Sequence, residues 1–219
     1  MDLSEYMCEP LPAQPIVFVV HNDTSVRESL ELLIRCEGWL SESFAFAREF
    51  LARPRPMIPN CLVLDLSLRD LNGLDLQRRV VVERPDTPVI FVTGHGDVPT
   101  SVQAMKAGAI EFLPKPFGDE ELLAAIDAAL AADRKGRRER AELSELQKHY
   151  ALLTPREREV MPFVTAGLAN KQTAAELGTS EITIGVHRGQ IMRKMGARSL
   201  AELVRMADRL TLARRAGQA

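Results

Sequence analysis

Two patterns of apolar and polar residues divide the chain near residue 133. Before this point, short apolar runs rich in branched side chains alternate with stretches in which apolar residues recur every three or four positions. The short runs predict strands at 16–20, 40–44, 60–66, 88–94 and 109–114. The periodic stretches predict helices at about 24–36, 44–52, 73–83, 98–107 and 119–132. Five strand–helix units in succession predict an α/β fold with a doubly wound parallel sheet.

The end of the chain shows no strand pattern and predicts a small all-α domain of four helices. Thr154 and Glu157 stand at the spacing of a capping box, with a proline between them at the first helical position. Ser180 is the expected N-cap of the third helix. The four helices are predicted at about 155–166, 170–177, within 179–195, and at about 199–210.

Between the two domains, 133–150 is highly charged and has few large apolar residues. This composition predicts an exposed linker that is partly helical. The predicted organisation is therefore a tail at 1–14, an α/β domain at 15–132, the linker, a helical domain at 151–211 and a tail at 212–219.

Charge separates the same regions. Residues 1–133 carry 11 Lys and Arg against 21 Asp and Glu, whereas 151–219 carry 11 against 6, although the whole chain has a formal net charge of −2. We therefore expect only the back half to meet a polyanion such as nucleic acid.

Targeting and membrane signals are not evident in the sequence. The N-terminus is acidic where a signal peptide is basic, and no apolar run approaches the ~18 residues of a membrane span. Cys8, Cys36 and Cys61 are scattered without metal-ligand spacing. These features predict a cytoplasmic protein that does not contact a membrane.

Polar residues from four segments converge at the carboxyl edge of the predicted sheet, where open α/β sheets bind ligands. His21, Asn22 and Asp23 follow the first strand, Asp65 lies inside the apolar run of the third, Thr93 closes the fourth, and Lys115 follows the fifth. A carboxylate in an apolar strand is costly unless it has partners, and a cation and a hydroxyl would supply them. We therefore expect a functional site rather than a plain buried ion pair.

Three stretches that carry these residues resemble the CheY-like receiver domain of two-component response regulators, most closely its FixJ-like branch: VFVVHNDTSVRESL, VLDLSLRDLNGLDL and VIFVTGHGDVPTSVQAMKAGAIEFLPKPF. The resemblance implies a flavodoxin-like sheet of order 2-1-3-4-5. It also implies that Asp65 accepts a phosphoryl group from a sensor histidine kinase. Thr93 is then the switch hydroxyl, Lys115 pairs with the phosphoryl oxygens, and Phe112 is the aromatic that moves on activation.

The residues after the first strand depart from that family. Its members have two adjacent acids that hold Mg²⁺, but His21 and Asn22 stand here, and Asp23 matches a position that is not a ligand. Mg²⁺ prefers carboxylate oxygens, so only a weak site at Asn22, Asp65 and the Ser67 carbonyl remains. We expect no cofactor, weak or absent Mg²⁺ binding, and weak or absent phosphorylation.

Three interpretations of this departure stay open. The receiver works by contacts alone, or it is a weakened phosphoacceptor that an efficient kinase still serves, or a protonated His21 replaces the missing cation and makes the switch sensitive to pH. Arg69 stands where the family usually has a proline, which suggests an altered loop. Phosphatases of the haloacid dehalogenase type and flavodoxin-like flavin sites need motifs that the HND stretch does not supply.

The basic back half contains two helices joined by a tight turn, a pattern typical of a helix-turn-helix. LTPREREV and KQTAAELGTSEITIGVHRGQIMRKMGARSL resemble the LuxR/FixJ-type DNA-binding domain. The resemblance implies that the helix within 179–195 enters the major groove of double-stranded DNA. The predicted DNA contacts are Lys171, Ser180, Thr183, Val186, His187, Arg188, Gln190, Arg193 and Lys194.

Not every residue of that helix can face DNA. Four apolar residues recur at helical spacing, and part of the set must be core: Ile182, Val186, Ile191 and Met195. Gly185 and Gly189 each cost about 1 kcal/mol of helix stability and remove a side chain that could read a base. We therefore expect reduced direct readout or a close approach of the backbone to DNA.

The last helix carries an apolar stripe that must be buried in its own domain or against a second copy, and the resemblance implies a homodimer: Leu200, Leu203, Val204 and Ala207. The sequence thus predicts a transcriptional regulator, not an enzyme, whose receiver is atypical. A conventional phosphorylation-switched response regulator and a receiver-like adaptor that acts without DNA remain alternatives.

Overall fold

The computed structural model describes residues 14–94 and 98–216. The chain divides into two compact units, Met1–Arg137 and Arg138–Ala219, which are considered separately below. Of the predicted N-terminal tail, only Gln14 lies within the described residues.

The α/β unit contains one parallel sheet of five strands: β1 (Ile16–Val20), β2 (Leu40–Phe44), β3 (Asn60–Asp65), β4 (Val89–Thr93) and β5 (Glu111–Pro114). Their spatial order is β2-β1-β3-β4-β5, as predicted. The register aligns Asp65 with Val92 and Thr93 with Pro114. The carboxyl ends of β3, β4 and β5 therefore lie at one edge of the sheet.

Four helices and the first part of a fifth cover the two faces of this sheet: α1 (Thr24–Cys36), α2 (Ala47–Ala52), α3 (Gly73–Glu83), α4 (Val98–Lys106) and α5 (Asp119–Ala151). Alternate strand residues form two cores, with Phe18 and Leu62 in one and Val19 and Val63 in the other. A sheet buried on both faces needs nearly continuous apolar strands, which is the pattern seen in the sequence. Outside the edge strand β2, the polar residues of the sheet are consequently confined to the strand ends.

The prediction that a helix ends near 132 and gives way to a partly helical linker is corrected by the structure, because α5 continues without a break to Ala151. Asp133 is buried, and its carboxylate accepts hydrogen bonds from the Asn60 amide at 2.8 Å and from Arg137 Nε at 2.7 Å. Residue 133 is therefore an anchor of the α/β unit rather than the start of an exposed segment. Further along, Arg138 and Glu142 form an (i, i+4) pair at 3.2 Å.

The helical unit contains the end of α5 followed by α6 (Pro155–Thr165), α7 (Asn170–Leu177), α8 (Glu181–Met195) and α9 (Leu200–Ala216). Both hydrogen bonds of the predicted capping box are present at the start of α6. The predicted tail at 212–219 is helical as far as Ala216, because α9 continues beyond residue 210. No helix in the described parts of the chain is both long and apolar enough to cross a bilayer.

The α7–α8 connection is a tight turn. Gly178 ends α7 with a φ of 62°, a left-handed conformation that favours glycine. Ser180 then caps α8 by accepting a hydrogen bond from the Thr183 amide at 3.1 Å. This pair of helices forms the predicted helix-turn-helix.

Candidate functional site

His21, Asp65 and Lys115 form a polar cluster at the carboxyl edge of the sheet. His21 Nε2 lies 2.5 Å from Lys115 Nζ and 3.6 Å from Asp65 Oδ2. His21 and Asp65 are buried, with exposed fractions of 5% and 7%, and Lys115 is half-buried. The structure thus brings together three side chains that the sequence placed on separate segments.

The His21 ring is held from its other side. The backbone N–H of Asp23 donates to His21 Nδ1 at 3.0 Å, so both ring nitrogens have a polar neighbour. Burial lowers the pKa of His21, and the Lys115 ammonium lowers it further, against the opposing effect of Asp65 and Asp23. A neutral imidazole at neutral pH argues against the interpretation in which a protonated His21 replaces a cation. Lys115 carries the positive charge beside Asp65.

Asn22 bridges two loops. Its Nδ2 donates to the Ser67 carbonyl, and its Oδ1 accepts from the Arg69 amide at 3.0 Å. Arg27, a residue not predicted from the sequence, donates from Nη1 to the carbonyls of His21 at 2.8 Å and Asn22 at 3.0 Å. The chain after β1 is therefore fastened by an amide and a guanidinium. In the sequence, the only feature that could have identified Arg27 as part of this site was its position one turn into α1.

Asp23 does not face the cluster. Its side chain is the N-cap of α1, and Oδ1 accepts from the amides of Ser25 at 2.8 Å and Val26 at 3.3 Å. The predicted acidic pocket therefore divides into three separate roles: His21 is buried in the cluster, Asn22 bridges loops, and Asp23 caps a helix.

The remaining predicted receiver residues line the same edge. Thr93 is buried at the end of β4, and its carbonyl accepts from the Lys115 amide at 2.8 Å. Phe112 is half-buried and packs against Phe91, with ring centroids 6.1 Å apart. Gly73 lies so close beneath β3 that a Cβ there would fall 2.5 Å from the Asp65 carbonyl oxygen. Only a glycine fits this contact, which the sequence did not indicate.

The donor set does not fit Mg²⁺. The Ser67 carbonyl, which the resemblance would offer to the metal, already accepts from the Asn22 amide. An imidazole and an ammonium stand beside the one carboxylate, where a hard cation needs further oxygen ligands. Within residues 14–94 and 98–216, no group of three or more His, Cys, Asp or Glu side chains is arranged to hold a metal.

In the helical unit, most of the predicted DNA contacts lie at least partly on the surface. Lys171 on α7 and Arg193 on α8 are exposed. Arg188 is half-buried and donates to Asn170 Oδ1 at 3.4 Å, while Arg193 donates to Gln190 at 2.5 Å. Two further predicted contacts, Thr183 and His187, are also half-buried, and the Ser180 hydroxyl serves as the α8 cap.

Lys194 is held inside the helical unit instead. Its Nζ lies 2.6 Å and 2.9 Å from the two carboxylate oxygens of Glu157, a buried residue on α6. Glu157 Oε2 also accepts from the Thr154 amide at 2.7 Å. The ammonium that the sequence assigned to DNA therefore joins α8 to α6.

The apolar residues of α8 separate cleanly into two groups. Ile191 and Met195 are fully buried, as is Ile184, whereas Ile182 and Val186 are 82% and 58% exposed. The sequence left this division open, and Ile182 was not among the predicted DNA contacts.

The α9 stripe is only partly available to a second copy. Leu203 is completely buried in the core of its own unit, which corrects its predicted place on a dimer surface. Leu200 and Ala207 are partly buried and pack against that core. Val204 is half-buried and is the one residue of the four that is not part of that core.

Two family models match the chain. The model described as response regulator receiver domain matches residues 17–127, and the model described as bacterial regulatory proteins, luxR family, matches residues 151–207. Together they span both units.

Relatives match over nearly the full chain. Nodulation protein W of Bradyrhizobium diazoefficiens is 49% identical over 195 residues, which cover 89% of this chain and 86% of the relative. Response regulator protein TodT of Pseudomonas putida is 43% identical over the same shares. Transcriptional regulatory protein FixJ of Bradyrhizobium diazoefficiens is 39% identical over 88% of this chain and 94% of its own.

Solved structures agree with these matches. The response regulator StyR superposes with a TM-score of 0.79 at 45% identity, covering 90% of this chain and 99% of its own. Full-length FixJ from B. japonicum gives a TM-score of 0.55 at 38% identity, with coverage of 90% and 97%.

Proposed function

The chain belongs to the response regulators that join a receiver domain to a LuxR-type DNA-binding domain, and we propose that it regulates transcription with a receiver that is phosphorylated at Asp65 weakly or not at all. The family is a non-enzymatic class of DNA-binding regulators. The proposal concerns how this member is controlled.

One observation carries the proposal: protein groups take the places that a metal ion would need. Asn22 Nδ2 donates to the Ser67 carbonyl, and His21, which stands in the place of an acid, lies 3.6 Å from Asp65 Oδ2 and 2.5 Å from Lys115 Nζ. In phosphoryl transfer to a carboxylate, a divalent cation neutralises charge that develops on the phosphoryl oxygens. With an imidazole and an amide where the family has two acids, we expect slow acceptance at Asp65.

The rest of the switch supports a receiver that works by contact. Thr93 and Lys115 lie at the same edge as Asp65, and Phe112 stands two residues before the end of β5, packed against Phe91. His21 Nε2 lies within 3.6 Å of both Asp65 Oδ2 and Lys115 Nζ, so the three side chains are held together at this edge without a phosphoryl group. Control would then come from protein partners or expression level, with a sensor histidine kinase as an inefficient input at most.

The output is binding to double-stranded DNA in the cytoplasm, as a homodimer. Lys171 and Arg193 are exposed cations suited to phosphate contacts. Val204 on α9 is half-buried and is suited to contact a second copy of the chain when two copies bind the two halves of a symmetric DNA site.

Intact-mass analysis after incubation with acetyl phosphate and Mg²⁺ tests the receiver. We expect no adduct on the wild type and one phosphoryl group on the His21→Asp/Asn22→Asp double variant. Adding Asp65→Asn to that double variant should abolish the adduct, which shows that the restored site acts through Asp65. An adduct on the wild type that Asp65→Asn removes would instead establish a conventional phosphorylation-switched regulator.

Titration of duplex DNA at several salt concentrations tests the output. We expect affinity to fall steeply as salt rises, because released counterions drive binding to phosphates. A chain with no salt-dependent affinity for duplexes would be a receiver-like adaptor, contrary to the proposal.

A further inference from the structure

The helix-turn-helix presents an unusual surface on α8. Ile182, Gly185, Val186 and Gly189 follow one another at intervals of three, one and three residues, which places them on one side of the helix. Ile182 and Val186 are 82% and 58% exposed. We call these four residues the α8 stripe.

The α8 stripe has no core function. Ile184, Ile191 and Met195 supply the fully buried side of the helix. Gly189 has nothing within 4 Å of a Cβ built on it, and Gly185 has only the Asn170 amide at 3.6 Å. In the described part of the helical unit, four large apolar side chains are exposed, and two of them lie on this stripe: Leu152, Ile182, Val186 and Leu212.

The chemistry of the α8 stripe limits what it can recognise. None of its four side chains carries a hydrogen-bond donor or acceptor, so none can pair with the polar base edges that Arg, Asn or Gln read. The apolar feature of the major groove is the thymine C5-methyl group. Lys171 and Arg193 are exposed cations in the basic half of the chain. They are suited to bind the phosphates of a DNA duplex, which would bring thymine methyl groups close to the α8 stripe.

We propose that Ile182 and Val186 read thymine methyl groups, so that the operator half-site contains thymines opposite the first two turns of α8. The inference rests on the proposed function, DNA binding, with α8 in the major groove as the resemblance to the LuxR/FixJ-type domain implies. Gly185 and Gly189 allow the helix to approach closely enough for these contacts. Base recognition along the α8 stripe is thus apolar rather than hydrogen-bonded.

The first step of the test selects duplexes from a random-sequence library with the full-length chain. In the selected duplex, each thymidine is then replaced in turn by deoxyuridine, which removes the methyl group and keeps every hydrogen-bonding atom. We expect at least one replacement in each half-site to weaken wild-type binding by roughly fourfold, the effect of one buried methyl-sized group.

Variants assign the effect to its side chains. Ile182→Ala and Val186→Ala should each bind the selected duplex more weakly and lose sensitivity to one of the deoxyuridine replacements. Leu152→Ala is the matched control, because Leu152 is 62% exposed and lies outside α8. It should retain the wild-type sensitivity.

The outcomes separate the two proposals. Salt-dependent binding that no deoxyuridine replacement weakens, or sensitivity that survives in both α8 variants, would overturn the inference and leave the proposed function standing. A chain that selects no duplex and shows no salt-dependent affinity would overturn both.

Discussion

Replacing Lys194 by methionine separates the structural role of this residue from the DNA contact that the sequence predicted. Glu157 is 4% exposed and accepts hydrogen bonds from Lys194 at 2.6 Å and 2.9 Å and from the Thr154 amide at 2.7 Å. Methionine keeps most of the side-chain length but removes the ammonium. Glu157 then keeps only its hydrogen bonds from Thr154.

The expected loss is set by the burial of the two groups. Removing one partner of a fully buried ion pair costs about 3–5 kcal/mol. The Lys194 side chain is 23% exposed, so water can approach the stranded carboxylate. We expect Lys194→Met to lower the free energy of unfolding of the helical unit by roughly 2 kcal/mol.

The pH dependence has a definite sign. Burial raises the pKa of Glu157, but hydrogen bonds from Lys194 and Thr154 outweigh burial and hold the pKa below its ordinary value. A depressed pKa contributes stability above the unfolded value of about 4.3, and this contribution is lost as the pH falls through the folded value. The difference between wild type and Lys194→Met should therefore shrink below about pH 4.

Hydrogen exchange of α6 and α8 amides in the full-length chain measures this loss, and salt titration of duplex binding provides the second readout. Lys194→Met should speed exchange but leave the salt dependence nearly unchanged, because its ammonium already faces Glu157. Lys171→Met is the control, since Lys171 is exposed on α7, and it should reduce the salt slope by about one with no change in exchange. Unchanged exchange together with a reduced slope in Lys194→Met would refute the structural role.

Three further substitutions or reagents probe other contacts. Gly73→Ala should destabilise the α/β unit by about 1–3 kcal/mol, because its Cβ would lie 2.5 Å from the Asp65 carbonyl oxygen; an unchanged denaturation midpoint would contradict this packing. Gly189→Ala should stabilise the helical unit by about 1 kcal/mol, since no atom lies within 4 Å of the added Cβ, and a lower Tm would count against an open helix surface. Iodoacetamide on the native protein should label the exposed Cys36 but not the buried Cys61, because burial raises the pKa of the Cys61 thiol. Peptide mass mapping would measure the labelling at each cysteine, and equal labelling would mean that β3 is accessible to the reagent.

Local pattern was enough to predict most elements. The strands and the helix-turn-helix follow from short-range properties: apolar periodicity, a capping box at Thr154 and Glu157, and glycine at the end of α7. The end of α5 was misplaced near Asp133, a charged residue that is buried and accepts a hydrogen bond from the Asn60 amide, 73 residues away. The charged run at 133–150 has few large apolar residues and contains no local pattern that would indicate a hydrogen-bond partner so distant in sequence.

The candidate site likewise combines features that the sequence predicted with features that it did not. The sequence brought His21, Asp65, Thr93 and Lys115 to one edge, because parallel strands carry their carboxyl ends to the same side. It could not assign the direction of each side chain after β1. The Asn22 side chain turns to the carbonyl of Ser67, 45 residues away, and its amide occupies one acceptor site of that oxygen.

By itself, the sequence determined the two folds, their order and the convergence of polar residues, since these depend on periodicity and on chain connections that are nearly independent of detailed packing. Only the tertiary structure decided which polar and apolar groups were already partnered. Lys194 is held by Glu157, Leu203 is held by its own core, and Ile182 is left exposed. The physical reason is that a side chain on a helix can face core or solvent according to neighbours distant in sequence, and those neighbours set whether its charge or apolar surface remains free to bind DNA.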